Sequence, residues 1–394
     1  MPARLRSAVV VAIGLLVAAV AADRVVNAPA FLNPRDFLEF WSAGAVVARG
    51  GNPYDPDALL AEQRRAEPDR DAAVMMWNPP WSLAVYVPVG LLPVRWATLV
   101  WIGLQLAAVM LSCDLLWRVY RGPARLRWVP HLLGLSFAPV VWNLLYGQNA
   151  GLLLLGLAGF VHFRAAGKPG RAGACAALTA LKPHLLAVFG ILLVLDVLTR
   201  QGRIALAAGV ATLGAALGGV LLLNPDVVGQ FVRTTLDPPP GAVPLTEWVL
   251  PVASYWLRVL IAPGHFWVQF VLCAVACVGF AVWRVKRGEH WDWPAALPTV
   301  VWASVLATPY GGWIFDLVVL LVPVVAVAAR VAADGRFVAL ALFALGQLAV
   351  TAATLIWAGS LPGFYRVAPA VLVLCLAMKA RGRPSPGFAR DPVP

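Results

Sequence analysis

The sequence predicts an all-α polytopic membrane protein, with about 12 transmembrane helices and further juxtamembrane helices on the outer side. Three observations predict it. Apolar residues make up 61% of the chain and charged residues only 13%, against about a quarter in a soluble domain, which is too little to cover a surface in water. The apolar residues fall into repeated runs whose gaps carry Arg, as expected of helices that cross a bilayer between basic loops. The five Cys lie inside apolar runs, with no CxxC and no Cys/His cluster, so no disulfide framework or structural zinc is implied. The net charge of +12 is carried by short loops that set orientation, which argues against nucleic acid as a partner.

The spans are placed at 7–22, 96–117, 129–146, 150–163, 171–182, 184–199, 203–223, 265–284, 295–308, 313–331, 337–357 and 364–379. The first ends in small residues that also fit a signal peptide; the spans that follow it favour its retention. Several are shorter than the ~20 residues a crossing needs. Those between 150 and 199 are short enough to be tilted, broken or re-entrant, which is allowed where protein covers the backbone.

Orientation follows from charge. With Arg4 and Arg6 in the cytoplasm, the gaps "RVYRGPARLR", "RAAGKPGR", "RQGR", "RVKRGEHWD", "RVAADGR" and the tail fall on the same side, and with those two Arg they hold 20 of the 31 Lys and Arg. Both termini are then cytoplasmic in an integral plasma (inner) membrane protein. Residues 79–92, "PPWSLAVYVPVGLL", are apolar but short and carry three Pro. Counting them as a span would put the Arg of "RVYRGPARLR" outside, so they are expected as a helix along the outer membrane surface. The first outer loop is then 23–95 and the second 224–264, within one domain over 1–379, followed by a disordered cytoplasmic tail at 380–394. Inside the first loop, "DFLEFWSAGAVVARGG" predicts a helix started by Asp36 and stopped by Gly50–Gly51. "NPYDPDALLAEQRRA" predicts a turn and a short helix from Asp55 or Asp57.

This topology puts every unusual polar motif on one side: "PRDFLEFW", "GNPYD", "WNPPW", "YGQN", "LKPH" and "TPYGGWIFD". Polar sites far apart in sequence but level in depth predict one cavity at the membrane boundary, facing the periplasm or cell exterior. Asp36 suits a general base, its carboxyl tuned by burial, or a helix cap. Glu39, one turn along, suits the same work, a sugar contact, or pairing with Arg35. Pro183 breaks the helix beside Lys182 and His184; the Lys suits a phosphate ligand or a snorkelling span end. Gln148 and Asn149 suit sugar hydroxyls, a phosphate, or the cap of the next span. Asp316 lies in an apolar run and needs a partner, either a substrate hydroxyl or a buried Arg. Trp41, Tyr54, Trp77, Trp81, Tyr310 and Trp313 suit stacking on sugar rings or an interfacial belt. No Walker loop, GxSxG, HExxH or dinucleotide fingerprint is present. "DPD" at 55–57 reads as a turn and cap. No metal site and no cofactor is implied, and metal dependence stays open. No soluble domain is large enough for a nucleotide sugar, so an activated substrate is expected to arrive in the membrane.

From "DFLEFWSAGAVVARGGNPYD" onward the chain resembles glycosyltransferase family 87, within the C-type (GT-C-like) membrane glycosyltransferases. The likeness continues, in order, through "NPPWSLAVYVPVGLLP", "YGQNAGLLLLGLA", "ALKPHLL" and "LATPYGGWIFDLVVLLVP". It implies a polyprenyl-phosphate-linked sugar as donor and inverting transfer on the non-cytoplasmic face. It also implies a catalytic Asp in the first outer loop, which maps onto Asp36. The acceptor is expected to be a glycolipid, glycan or protein; mannose and arabinose are the sugars suggested by kinship. Lys182, with Arg35 or His184, is expected to hold the phosphate. Some relatives carry a His near residue 310, where this chain has "TPYGGWIFD"; Tyr310 or Asp316 would then take its role. The competing expectation is a transporter or flippase of lipid-linked sugars, which would need polar groups along a path through the bilayer.

Overall fold

The structure is a computed structural model that describes residues 36–239, 245–356 and 367–380. The expected first span at 7–22, Arg35 and the tail beyond 380 lie outside these residues. Among the described residues all regular structure is helical.

The chain begins with α1 (Phe37–Ala48), which ends at Arg49 and turns through Gly50, whose φ is +76°. Next comes α2 (Pro56–Gln63); the Asp55 carboxylate accepts from the amides of Asp57 and Ala58, both at 2.9 Å, with Pro56 at the first turn. A Pro-Pro turn then leads into α3 (Leu83–Gly90). Helix α3 lies against α1 so closely that a Cβ on Gly44 would fall 2.3 Å from the Tyr86 carbonyl oxygen; only Gly admits that approach. At eight residues α3 is about 12 Å long, far short of a crossing.

The bundle proper runs through α4 (Val94–Val119), α5 (Val129–Leu135), α6 (Ala138–Tyr146), α7 (Ala150–Ala165), α8 (Pro169–Ala176) and α9 (Ala187–Leu195). It continues with α10 (Arg200–Leu223), α11 (Val227–Leu236), α12 (Ala253–Ile261), α13 (Val271–Arg287) and α14 (Trp293–Ala307). It closes with α15 (Leu321–Ala333), α16 (Phe337–Ile356) and α17 (Val367–Ala380). Helix α7 is the hub, packed against α4, α8 and the turn at 314–320. The segment Ile314–Ala333 is buried over 83% of its most apolar stretch, whereas Arg200–Leu223 and Phe266–His290 are buried over only 11% of theirs. The first is therefore central and the other two peripheral.

The expectation of about 12 transmembrane helices is overturned. Among the described residues five helices are long and apolar enough to cross a membrane: Val94–Val119, Arg200–Leu223, Phe266–His290, Ile314–Ala333 and Phe337–Thr354. The count reaches six if Ala124–Leu135 and Ala138–Tyr146, bent by 56° at their break, form one span. Helices do occur where the remaining described runs predicted them, but they are short. The 16 residues of α7 extend about 24 Å, against a hydrocarbon core of ~30 Å. The physical reason is burial. Leu152, Leu153, Leu154, Leu157 and Phe160 are all buried in the protein, so α7 is apolar on every side because other helices surround it.

A second polar cluster ties these helices together. Asp196, 1% exposed, accepts from Arg164 of α7 at 2.9 Å and from the Trp293 indole at 3.2 Å on one oxygen. Its other oxygen accepts from Arg284 of α13 at 3.1 Å. Two basic residues that the sequence assigned to cytoplasmic loops thus serve as internal partners of one carboxylate.

Candidate functional site

A cavity of about 780 Å³ opens where the first loop, the α6–α7 junction, the break before α9, Phe231 and Thr235, residues 247–249 and the turn at 310–316 meet. Asp36, Gln148 and Lys182 each sit where a helix starts, stops or breaks.

Asp36 precedes α1 but makes no side-chain cap bond; its Oδ2 accepts from Gln148 Nε2 at 2.8 Å. Gln148 follows Gly147, whose φ of +68° ends α6. Its amide therefore projects from a chain reversal. Gln148 Oε1 accepts from Lys182 Nζ at 2.8 Å. Lys182 ends the 3₁₀ turn Ala177–Leu181, which the Trp81 indole fixes by donating to the Ala180 carbonyl at 2.8 Å. Lys182 also donates to Asp316 Oδ1 at 2.7 Å and lies 5.2 Å from the centre of the Phe315 ring. Asp316 Oδ2 accepts from the Trp313 amide at 3.1 Å. One unbroken chain, Asp36–Gln148–Lys182–Asp316, thus joins segments more than 100 residues apart.

The loop "TPYGGW" needs its glycines. Gly311 has φ +74°, and a Cβ there would lie 2.9 Å from His184 Nε2, beyond what an L side chain tolerates. His184 stacks on Tyr310, with ring centres 4.3 Å apart, and the Thr308 hydroxyl donates to the Tyr310 carbonyl at 2.8 Å.

Glu39 also faces the cavity and accepts from the Trp77 amide at 3.2 Å. It lies on the 12-residue α1, outside the six candidate spans. Burial, reinforced by the neighbouring Asp36 charge, pushes its carboxyl up to about 8. The folded state then keeps a proton that the unfolded chain loses near pH 4.5. Stability from this site is whole below that pH and is lost as pH rises toward 8. Glu39→Gln preserves an acceptor for Trp77 without the titration. Thermal unfolding from pH 4 to 9 is expected to show the variant gaining on the parent as pH rises through this window; a constant difference contradicts the assignment.

Of the residues singled out in the sequence, Asp36, Glu39, Trp77, Trp81, Gln148, Lys182, His184, Tyr310, Trp313 and Asp316 line the cavity. Trp41, Tyr54 and Asn149 do not, and their polar atoms hold the scaffold. The Trp41 indole donates to the Leu92 carbonyl at 2.9 Å, Tyr54 donates to the Asn78 carbonyl at 3.0 Å, and Asn149 donates to the Tyr86 hydroxyl at 2.7 Å. Phe231, Thr235, Glu247 and Trp248 were not singled out in the sequence, yet all four line the cavity. Trp248 meets Trp77 edge to face at 5.8 Å. A Trp beside an acid in a Pro-rich loop was the only available signal. Among the described residues no group of three His, Cys, Asp or Glu gathers as a metal site.

The arrangement sets a carboxylate and an ammonium in one cavity with aromatic walls. Residues 77–309 match the profile of Glycosyltransferase family 87, more than half of the chain. No curated protein and no solved structure matches.

Proposed function

The chain belongs to glycosyltransferase family 87, and from this premise we propose that it moves a sugar from a polyprenyl-phosphate donor to an acceptor hydroxyl, with inversion, on the non-cytoplasmic face of the membrane. The observation that carries the reading is the Gln148 bridge, which holds Asp36 and Lys182 in one cavity.

Asp36 is the general base. It takes the proton of the acceptor hydroxyl as that oxygen attacks the anomeric carbon from the side opposite the phosphate. The new carbon–oxygen bond forms as the bond to phosphate breaks, and the electron pair leaves on polyprenyl phosphate. Lys182 receives that charge. An ammonium has three N–H groups; Gln148 and Asp316 take two, and the third serves the phosphate. Asp316, with both oxygens already occupied, acts through Lys182 as a positioning residue. His184 and Tyr310 form the stacked wall beside the phosphate. Glu39, neutral below about pH 8, donates a hydrogen bond to a sugar hydroxyl, and the Trp77 and Trp248 rings flank the acceptor. The chemistry needs one base and one cation because phosphate is already a fair leaving group.

Purified protein in lipid nanodiscs, given synthetic polyprenyl-phosphate sugars and candidate acceptors, is expected to release polyprenyl phosphate in step with glycosylated acceptor. Movement of intact donor across the bilayer with no bond broken would identify a flippase instead.

A further inference from the structure

Helix α11 has two faces with different neighbours. On one, Val227 is fully buried, Phe231 packs on Tyr54 with ring centres 5.4 Å apart, and Phe231 and Thr235 line the cavity. On the other, Val228, Val232 and Leu236 form a stripe at four-residue spacing, exposed by 41%, 46% and 80%. The stripe continues a surface that already belongs to a span. Helix α10, one of the peripheral crossings, ends at Leu222 and Leu223, both exposed, three residues before α11 starts.

The corner between the two helices is fixed. Asn224 Nδ2 donates to the Gly51 carbonyl at 2.8 Å and to Gln230 Oε1 at 2.9 Å, and Asn224 Oδ1 accepts from the Asp226 amide at 3.0 Å. Exposed Arg233 stands beside the stripe, where its stem can lie on apolar surface while the guanidinium reaches headgroups. Helix α12 repeats the pattern: Ser254 and Arg258 are buried, and Trp256, Leu260 and Ile261 are exposed. A helix with an apolar stripe, a flanking cation and a neighbouring Trp is built for the boundary between headgroups and acyl chains.

We infer that α11 lies in the membrane surface with Val228, Val232 and Leu236 in lipid, so that the cavity wall made by its inner face is the side on which a lipid-borne substrate enters. The wall there is one helix thick. A prenyl chain can stay in the bilayer against the stripe while its phosphate-linked sugar passes the end of α11 toward Lys182. The entry step rests on the donor reading above; the position of the helix does not.

The test has two arms. A diazirine-bearing amino acid in place of Val232, irradiated in nanodiscs, is expected to yield phospholipid adducts, while the same group in place of exposed Asp69 yields none. Adducts with water or with a second copy of the chain, and none with lipid, would overturn the inference. In the second arm, Val232→Asp/Leu236→Asp is expected to raise KM about tenfold for a long-chain donor in nanodiscs, through lost apolar contact with lipid. It should leave KM for a water-soluble analogue with one or two isoprene units unchanged. Equal effects on both donors remove the entry role. Failure of the parent protein to use either donor would instead count against the donor reading, and the adducts would still report where α11 lies.

Discussion

Asp36→Asn is expected to lower kcat about a thousandfold, the scale of a lost general base, without unfolding the protein. The substitution preserves shape, and the new amide oxygen still accepts from Gln148 Nε2, the bond seen at 2.8 Å. The helix does not depend on the residue either, since Asp36 makes no side-chain cap bond. Asp36→Glu retains the charge but moves it by one methylene; a displacement of about 1 Å costs on the order of a hundredfold. The measurement is the rate of polyprenyl phosphate release with acceptor present, beside a melting curve for each variant. A folded Asp36→Asn protein working at the parent rate would end the assignment of the base.

The second large effect concerns Lys182. Lys182→Met leaves Asp316 buried at 1% exposure with no cation, and stripping one partner from a buried pair costs about 3–5 kcal/mol. The variant is expected to melt well below the parent and to lose donor binding. Two losses from one substitution are separable in a double variant. Lys182→Met/Asp316→Asn removes both charges, and the new amide oxygen still accepts from the Trp313 N–H. Most of the stability is expected to return while donor binding stays lost. Asp316→Asn alone leaves Lys182 charged and able to hold phosphate. Recovery of donor binding in the double variant would show that Lys182 matters only as a counter-ion.

The positions of the helices were readable because their breaks are chemical. Pro183 and the Gly147 reversal mark helix ends in the sequence as plainly as in the structure. The number of crossings was not readable. Runs such as 150–165 and 293–307 are as greasy as true spans, because a helix buried among helices and a helix buried in lipid face the same demand. Length separates them, and the ends of such runs are blurred in sequence by apolar neighbours.

The site divides in the same way. Asp36, Gln148, Lys182 and Asp316 stand out as polar residues in apolar settings, where each must find a partner. Trp41, Tyr54 and Asn149 stood out for the same reason, but their partners are the carbonyls of Leu92 and Asn78 and the hydroxyl of Tyr86. A sequence shows that a polar group needs an answer and not which group gives it. Phe231 and Trp248 were hard to find because tertiary contacts place them, Phe231 on Tyr54 and Trp248 on Trp77, and such contacts leave little local signature.

The Arg164–Asp196–Arg284 cluster carries a consequence for how the protein behaves in solution. Ion pairs at a surface fade as the ionic atmosphere shrinks toward a few ångströms, but groups this deep lie where mobile ions do not penetrate. One buried anion facing two cations pins four segments at a single point. Concentrated brine should therefore loosen peripheral contacts such as Arg118–Asp114–Arg127 and leave this knot tied.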